Sequence, residues 1–179
     1  MKKFSLFFIF VLIPFLLFSK GPEISTISAE IKNQHLFIDA IMDKSFANQD
    51  VVEALNSTNP ITFTYEVELL KKRYVLPSKT MVKIAFKKRV QFDNLTNQYE
   101  LKVYKEEELI DKMTLTSIDD VIKELSEIKN VDLGAVVDLE PGENAYYLRA
   151  RITLLKTFFL WIFPKDVDTG WMEKDLKTP

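Results

Sequence analysis

Between residues 24 and 155 apolar and polar side chains mostly alternate, the two-residue period of strands that bury one face. Ile27, Ala29 and Ile31 share one side of Ile24 to Ile31, and Leu36, Ile38 and Ala40 share one side of Leu36 to Met42. Asn33-Gln34 supplies a short turn between these runs. Asn48 to Leu55 breaks the alternation: Val51, Val52 and Leu55 have helical spacing, Asn48 suits an N-cap, and Asn56 to Pro60 stops the helix.

Ile61 to Phe92 carries the strongest signal. Ile61, Phe63, Tyr65, Val67 and Leu69 alternate with Thr62, Thr64, Glu66 and Glu68, and Val82, Ile84 and Phe86 continue the pattern after Leu76-Pro77-Ser78-Lys79. A two-residue turn with Pro77 at its first central position predicts one particular register. In it Glu68 faces Lys87, Glu66 faces Arg89, Phe63 meets Phe92, Tyr65 meets Val90, and Lys72 faces Lys83. Further strands are expected over Tyr99 to Val103, Leu109 to Thr116, Val131 to Leu139 and Ala145 to Leu155, with turns at 93–97, 105–108 and 140–144. Ser117 and Asp120 have capping-box spacing, and Ile118, Val121, Ile122, Leu125 and Ile128 form a helical stripe. Together these elements predict a mainly β, antiparallel, sandwich-like single domain over residues 24–176, with seven or eight strands and two short helices.

The first twenty residues follow different rules. Lys2 and Lys3 precede fifteen residues, Phe4 to Phe18, that are apolar except Ser5 and are broken by Pro14. That is the length of a signal-peptide core and short of the ~20 residues of a comfortable membrane span. Residues 1–20 are therefore read as a signal peptide or an uncleaved N-terminal anchor. The body of the protein is then exported, periplasmic or held at the extracytoplasmic side of the membrane.

Composition removes chemistry. Cysteine is absent and His35 is the single histidine, which excludes thiol catalysis, disulfides and multi-His or Cys-based metal sites. Four glycines leave no phosphate-cradling loop. With 24 Lys+Arg against 26 Asp+Glu there is no basic footprint, so nucleic acid is not expected as a partner.

Three stretches fall in a familiar order: EALNSTNPITFTYEVELLKKR from Glu53 to Arg73, FDNLTNQYELK from Phe92 to Lys102, and YYLRARITL from Tyr146 to Leu154, with TGW ending at Trp171. The set resembles the bacterial domain-of-unknown-function 4390 family. The resemblance implies an exported protein and brings no catalytic residues. The chain departs from the family's usual pattern at Asn59, in place of a glycine, and at Gly170, in place of an acidic residue before the tryptophan.

No catalytic, cofactor-binding or metal-ligating set is expected. His35 has no neighbouring carboxylate or thiol in sequence, and neither Asp119-Asp120 nor Asp166-Val167-Asp168 supplies a full calcium loop. Arg149 and Arg151 share a strand face, where glutamates of a neighbouring strand are their expected partners. Two contact regions stand out. One is Phe158-Phe159-Leu160-Trp161-Ile162-Phe163, six large apolar residues in a row, with Phe158, Phe159, Trp161 and Phe163 as candidate partner or membrane contacts. The other is a basic patch centred on Lys72 and Lys83.

The expected function is a non-enzymatic binding or scaffold module that contacts another envelope protein or the membrane surface. An apolar-ligand carrier would need an internal cavity lined by Phe63, Tyr65, Phe86 and Phe92. A carboxylate-based hydrolase would fall by default to Asp39 and Asp43.

Overall fold

The computed structural model describes residues 23–46, 49–135, 145–155 and 167–176. The expected signal segment, the N-cap at Asn48, the turn at 140–144 and Phe158 to Phe163 lie outside them. Among the described residues ten strands and two helices follow in the order β1 (Glu23–Lys32), β2 (His35–Asp43), α1 (Gln49–Leu55), β3 (Ile61–Lys71), β4 (Lys79–Asp93), β5 (Gln98–Lys105), β6 (Glu108–Leu115), α2 (Ile118–Ser126), β7 (Glu127–Ala135), β8 (Tyr146–Leu155), β9 (Val167–Asp168) and β10 (Met172–Leu176).

The strands form two antiparallel sheets. The small sheet has the order β1-β2-β7; the large one runs β10-β8-β3-β4-β5-β6, with β9 also paired to β8. This is the expected mainly β, sandwich-like architecture, with β9 and β10 added at the C-terminal edge. β10 (MEKDL) has only two inward apolar residues, Met172 and Leu176, which is too weak a pattern to read without the pairing to β8.

One core lies between the sheets. Alternation places Ile38, Ala40 and Met42 of β2 inward against Phe63, Tyr65 and Val67 of β3 and Tyr146, Leu148 and Ile152 of β8. Val51 and Leu55 of α1 and Val121 and Leu125 of α2 join the same cluster. Ser117 caps α2 from an extended conformation: its Oγ accepts from the Asp120 N–H at 3.1 Å, and Asp119 and Asp120 meet the positive end of the helix dipole.

The long hairpin forms, but four residues away from the expected register. Glu68 faces Lys83, Tyr65 faces Phe86 and Phe63 faces Lys88. The connection is not a two-residue turn at Pro77; it spans 72–78, and Lys71 opposite Lys79 is the last rung. An offset of four is even, so side chains keep their predicted faces from Ile61 to Leu69, beyond which a bulge shifts the pairing. The offset is decided on the other flank of β3, where Glu66 and Glu68 lie beside Arg151 and Arg149 of β8. With their charges matched there, the glutamates do not need Lys87 and Arg89.

The expected helical stripe also ends early. α2 stops at Ser126, and Ile128 is buried as part of β7, which begins at Glu127 rather than at Val131. A lysine from the large sheet, Lys88, donates to the carbonyls of Glu124 and Glu127 at this junction.

Candidate contact surface

β3 and β8 carry a compact charge array on the outer face of the large sheet. Arg149 Nε donates to Glu68 Oε2 at 2.8 Å and its Nη2 reaches the same oxygen at 2.6 Å. Arg151 makes the equivalent pair with Glu66, its Nε at 2.8 Å, and Asp168 stands 3.7 Å from its Nη1. Lys83 closes the array, 3.3 Å from Glu68 and 3.5 Å from Glu66. Trp171 lies over both guanidinium groups, with centroid distances of 4.5 Å to Arg149 and 4.7 Å to Arg151. The Arg151 hydrogen bond holds the Glu66 carboxyl below its usual range, and Glu66 in turn raises the Arg151 guanidinium. Glu68 is only 4% exposed although it points away from the core. Three carboxylates thus neutralise three cations, and the arginines are paired as expected.

The structure separates the two residues expected to centre a basic patch. Lys83 belongs to this array, whereas Lys72 lies beyond the last rung and pairs with Asp175 of β10 at 2.6 Å. They do not face each other, because the hairpin loop is seven residues long rather than two. Asp39 and Asp43 are not a pair either. They sit four positions apart on β2, roughly 13 Å along the strand, and Asp39 accepts from the Asn130 N–H at 2.7 Å at an irregularity of β7.

His35 does have a carboxylate neighbour, one that sequence distance hid. Its Nδ1 lies 2.8 Å from Asp132 Oδ2, across the β2–β7 pairing. The Gly134 N–H and then His35 hold Asp132 below the usual carboxylate range. Of the other aspartates, Asp120 accepts from the Ser117 hydroxyl at 2.7 Å and Asp168 from the Gly170 N–H at 2.7 Å, while Gly170 itself takes a positive φ of 69°. That conformation suits glycine at the position where an acidic residue was the family expectation.

The four aromatic residues named for an internal cavity contact other rings. Tyr65 stacks on Phe86 at 4.8 Å, Phe63 meets Phe46 edge-on at 5.2 Å, and Phe92 packs on Tyr99 at 4.7 Å. A depression of about 280 Å³ lies elsewhere, on the small sheet, lined by Thr26, Ser28, Asp39, Ile41, Glu127 and Lys129 among others.

Two features were missed from sequence. Lys88 is 7% exposed, and its Nζ donates to the carbonyls of Glu124 and Glu127, the latter at 2.6 Å. It lies 5.2 Å from the Tyr65 ring centroid, and burial lowers its pKa to about 8. The signal was its phase, since Lys88 shares the even positions of Val82, Ile84, Phe86 and Val90 on the inward face of β4.

The second is the hairpin tip. Tyr74, Val75 and Leu76 project from the 72–78 loop, the first two fully exposed and Leu76 60% exposed. The assumption of a tight turn at Leu76-Pro77-Ser78-Lys79 concealed it, since that register continues the strand through Tyr74 and Val75. The signal was present as KKRYVLPSK, three large apolar residues set between basic ones.

Fold and surface together define a mainly β, sandwich-like protein whose β3–β8 charge array is matched and whose largest apolar exposure among the described residues is a loop tip. A family model described as Domain of unknown function (DUF4390) matches residues 19–157, most of the chain, and the chain belongs to that family. No curated protein and no solved structure matches it.

Proposed function

We propose that this is an exported, non-enzymatic envelope protein, a binding or scaffold module that works through a contact surface. The observation that carries the reading is the tip Tyr74-Val75-Leu76, three large apolar side chains held in water at the end of the longest hairpin. Water-exposed apolar clusters of this kind are costly to keep without a partner. The Lys2-Lys3 start and the Phe4 to Phe18 run support delivery to the extracytoplasmic side, either cleaved into the periplasm or anchored. The ring-to-ring packing of Tyr65 with Phe86 supports a surface role over an apolar-ligand carrier.

The test is a photocrosslinker in place of Tyr74, expressed in intact cells of the native host. An adduct with an envelope component is the expected result. A protein that stays in the cytosol, or an exported one that behaves as a free monomer without adducts, overturns the reading.

A further inference from the structure

We propose that the β3–β4 hairpin tip is a lipid-insertion device: Tyr74, Val75 and Leu76 enter the interfacial layer of an anionic bilayer while Arg73 and Lys79 bind its headgroups. The inference rests on the contact-module reading and names its partner.

The geometry separates the two tasks. Tyr74, Val75 and Leu76 occupy the middle of the loop, and Arg73 and Lys79 flank them at its neck. Arg73 and Lys79 have no ion pair among the described residues, while Lys72 at the same neck is braced by Asp175 of β10. The last rung sets Lys71 opposite Lys79. On the outer face behind the tip, Glu66, Glu68 and Asp168 are spent on Lys83, Arg149 and Arg151, and Asp175 on Lys72.

Size favours lipid over protein. Three side chains on a loop fall well short of the ~800 Å² that a stable protein interface buries on each partner. A bilayer asks only for a few apolar groups with cations just above them, and tyrosine suits the boundary between the two.

The test uses the full chain, which contains no cysteine. Val75→Cys carries an environment-sensitive dye, and Leu95→Cys is the reference. Leu95 is 93% exposed in the β4–β5 turn, at the far end of β4, about 45 Å away. Proteoliposomes contain phosphatidylethanolamine with or without phosphatidylglycerol, so that any binding by the N-terminal segment is common to both labels. The dye at 75 should shift to the blue and be quenched by spin-labelled lipid only with phosphatidylglycerol, and the dye at 95 should not respond. Arg73→Gln and Lys79→Gln should each weaken the insertion equilibrium about fivefold, the equivalent of one surface cation. A silent label at 75, equal responses at 75 and 95, or no dependence on phosphatidylglycerol overturns the inference. If the protein still floats with vesicles, or crosslinks through Tyr74 to a protein, the contact reading survives and only lipid insertion falls. If it does neither, both fall.

Discussion

Lys88 Nζ donates to the main-chain carbonyl of Glu127 at 2.6 Å, and so ties the middle of the large sheet to the point where α2 becomes β7. The same ammonium reaches the Glu124 carbonyl, and the Tyr65 hydroxyl donates to the Leu125 carbonyl at 2.7 Å. A helix leaves its last carbonyls without intrahelical donors. Here two side chains from the opposite sheet supply them. This explains why the apolar stripe can leave the helix at Ser126 and continue as a strand without stranding polar backbone in the core.

The lysine makes stability depend on pH. Its folded pKa, about 8, is depressed from the ordinary 10.5, so between these values the unfolded chain holds more protons than the folded one. Stability therefore rises as pH climbs through 8, and the full gap corresponds to roughly 3 kcal/mol. By pH 9.5 roughly 2 kcal/mol of it is recovered. Burial raises the Tyr65 hydroxyl well above its usual value, which acts in the opposite sense only above about pH 10. Urea unfolding of the native chain and of Lys88→Met at pH 7 and 9.5 should show the gain in the native chain alone. Equal pH slopes in the two proteins would remove this account of Lys88.

Breaking the Glu68–Arg149 pair should be costly. Glu68 is nearly buried, and Arg149→Ala removes donors at 2.8 and 2.6 Å. Loss of one partner from a buried pair costs about 3–5 kcal/mol, and Lys83 at 3.3 Å keeps this case near the lower end. The double variant Glu68→Met/Arg149→Met should recover most of the loss, because no unpaired charge is left behind. Denaturation midpoints of the two variants decide it; a loss below about 1 kcal/mol in Arg149→Ala would mean that the pair is effectively solvated.

The faces of the strands were legible in the sequence, while their offsets were not. Ile61 to Leu69 alternates so regularly that an even slip between β3 and β4 leaves every side chain on the correct face, so pattern alone could not choose between Lys83 and Lys87 as the partner of Glu68. The choice was made by Arg149 and Arg151, some eighty residues later in the chain. The loop length followed from that choice, and with it the position of Lys72 and the exposure of Tyr74. His35 and Asp132 were hidden for the same reason, being brought together only by the β2–β7 pairing. Local signals did suffice for Asn33-Gln34, for Ser117 and for the arginine–glutamate pairs, where partners are adjacent in sequence or follow from alternating charge.

The turn at Asn33-Gln34 leaves room for improvement. Lys32 pairs with His35, so the loop is two residues long, with φ of 50° at Asn33 and 66° at Gln34. These are the values of a type I′ turn, whose second position strongly favours glycine. A side chain such as glutamine is strained there. Gln34→Gly should therefore stabilise the protein by about 0.5–1 kcal/mol, the relieved strain outweighing the extra freedom of glycine in the unfolded chain. A lower thermal midpoint in Gln34→Gly would show that the glutamine side chain makes a contact worth more than the strain.

Trp171 should couple energetically to both arginines beneath it. Its ring is 4.5 Å from the Arg149 guanidinium and 4.7 Å from that of Arg151, each of which is also held by a glutamate. A cation over an aromatic face contributes about 0.5–1 kcal/mol at a partly exposed site. Trp171→Ala should then cost about 1–2 kcal/mol, from two such contacts. A double-mutant cycle of Trp171→Ala with Arg151→Lys separates this attraction from simple packing. Lysine keeps the charge but loses the planar group that both stacks on the indole and forks onto Glu66, so the cycle should show coupling of about 0.5 kcal/mol or more. Glu66 limits the size of the effect, since it already fixes the guanidinium whether or not the ring is present. Strict additivity would place Trp171 as a neighbour that merely covers the pair, and would assign the protection of this face to the glutamates alone.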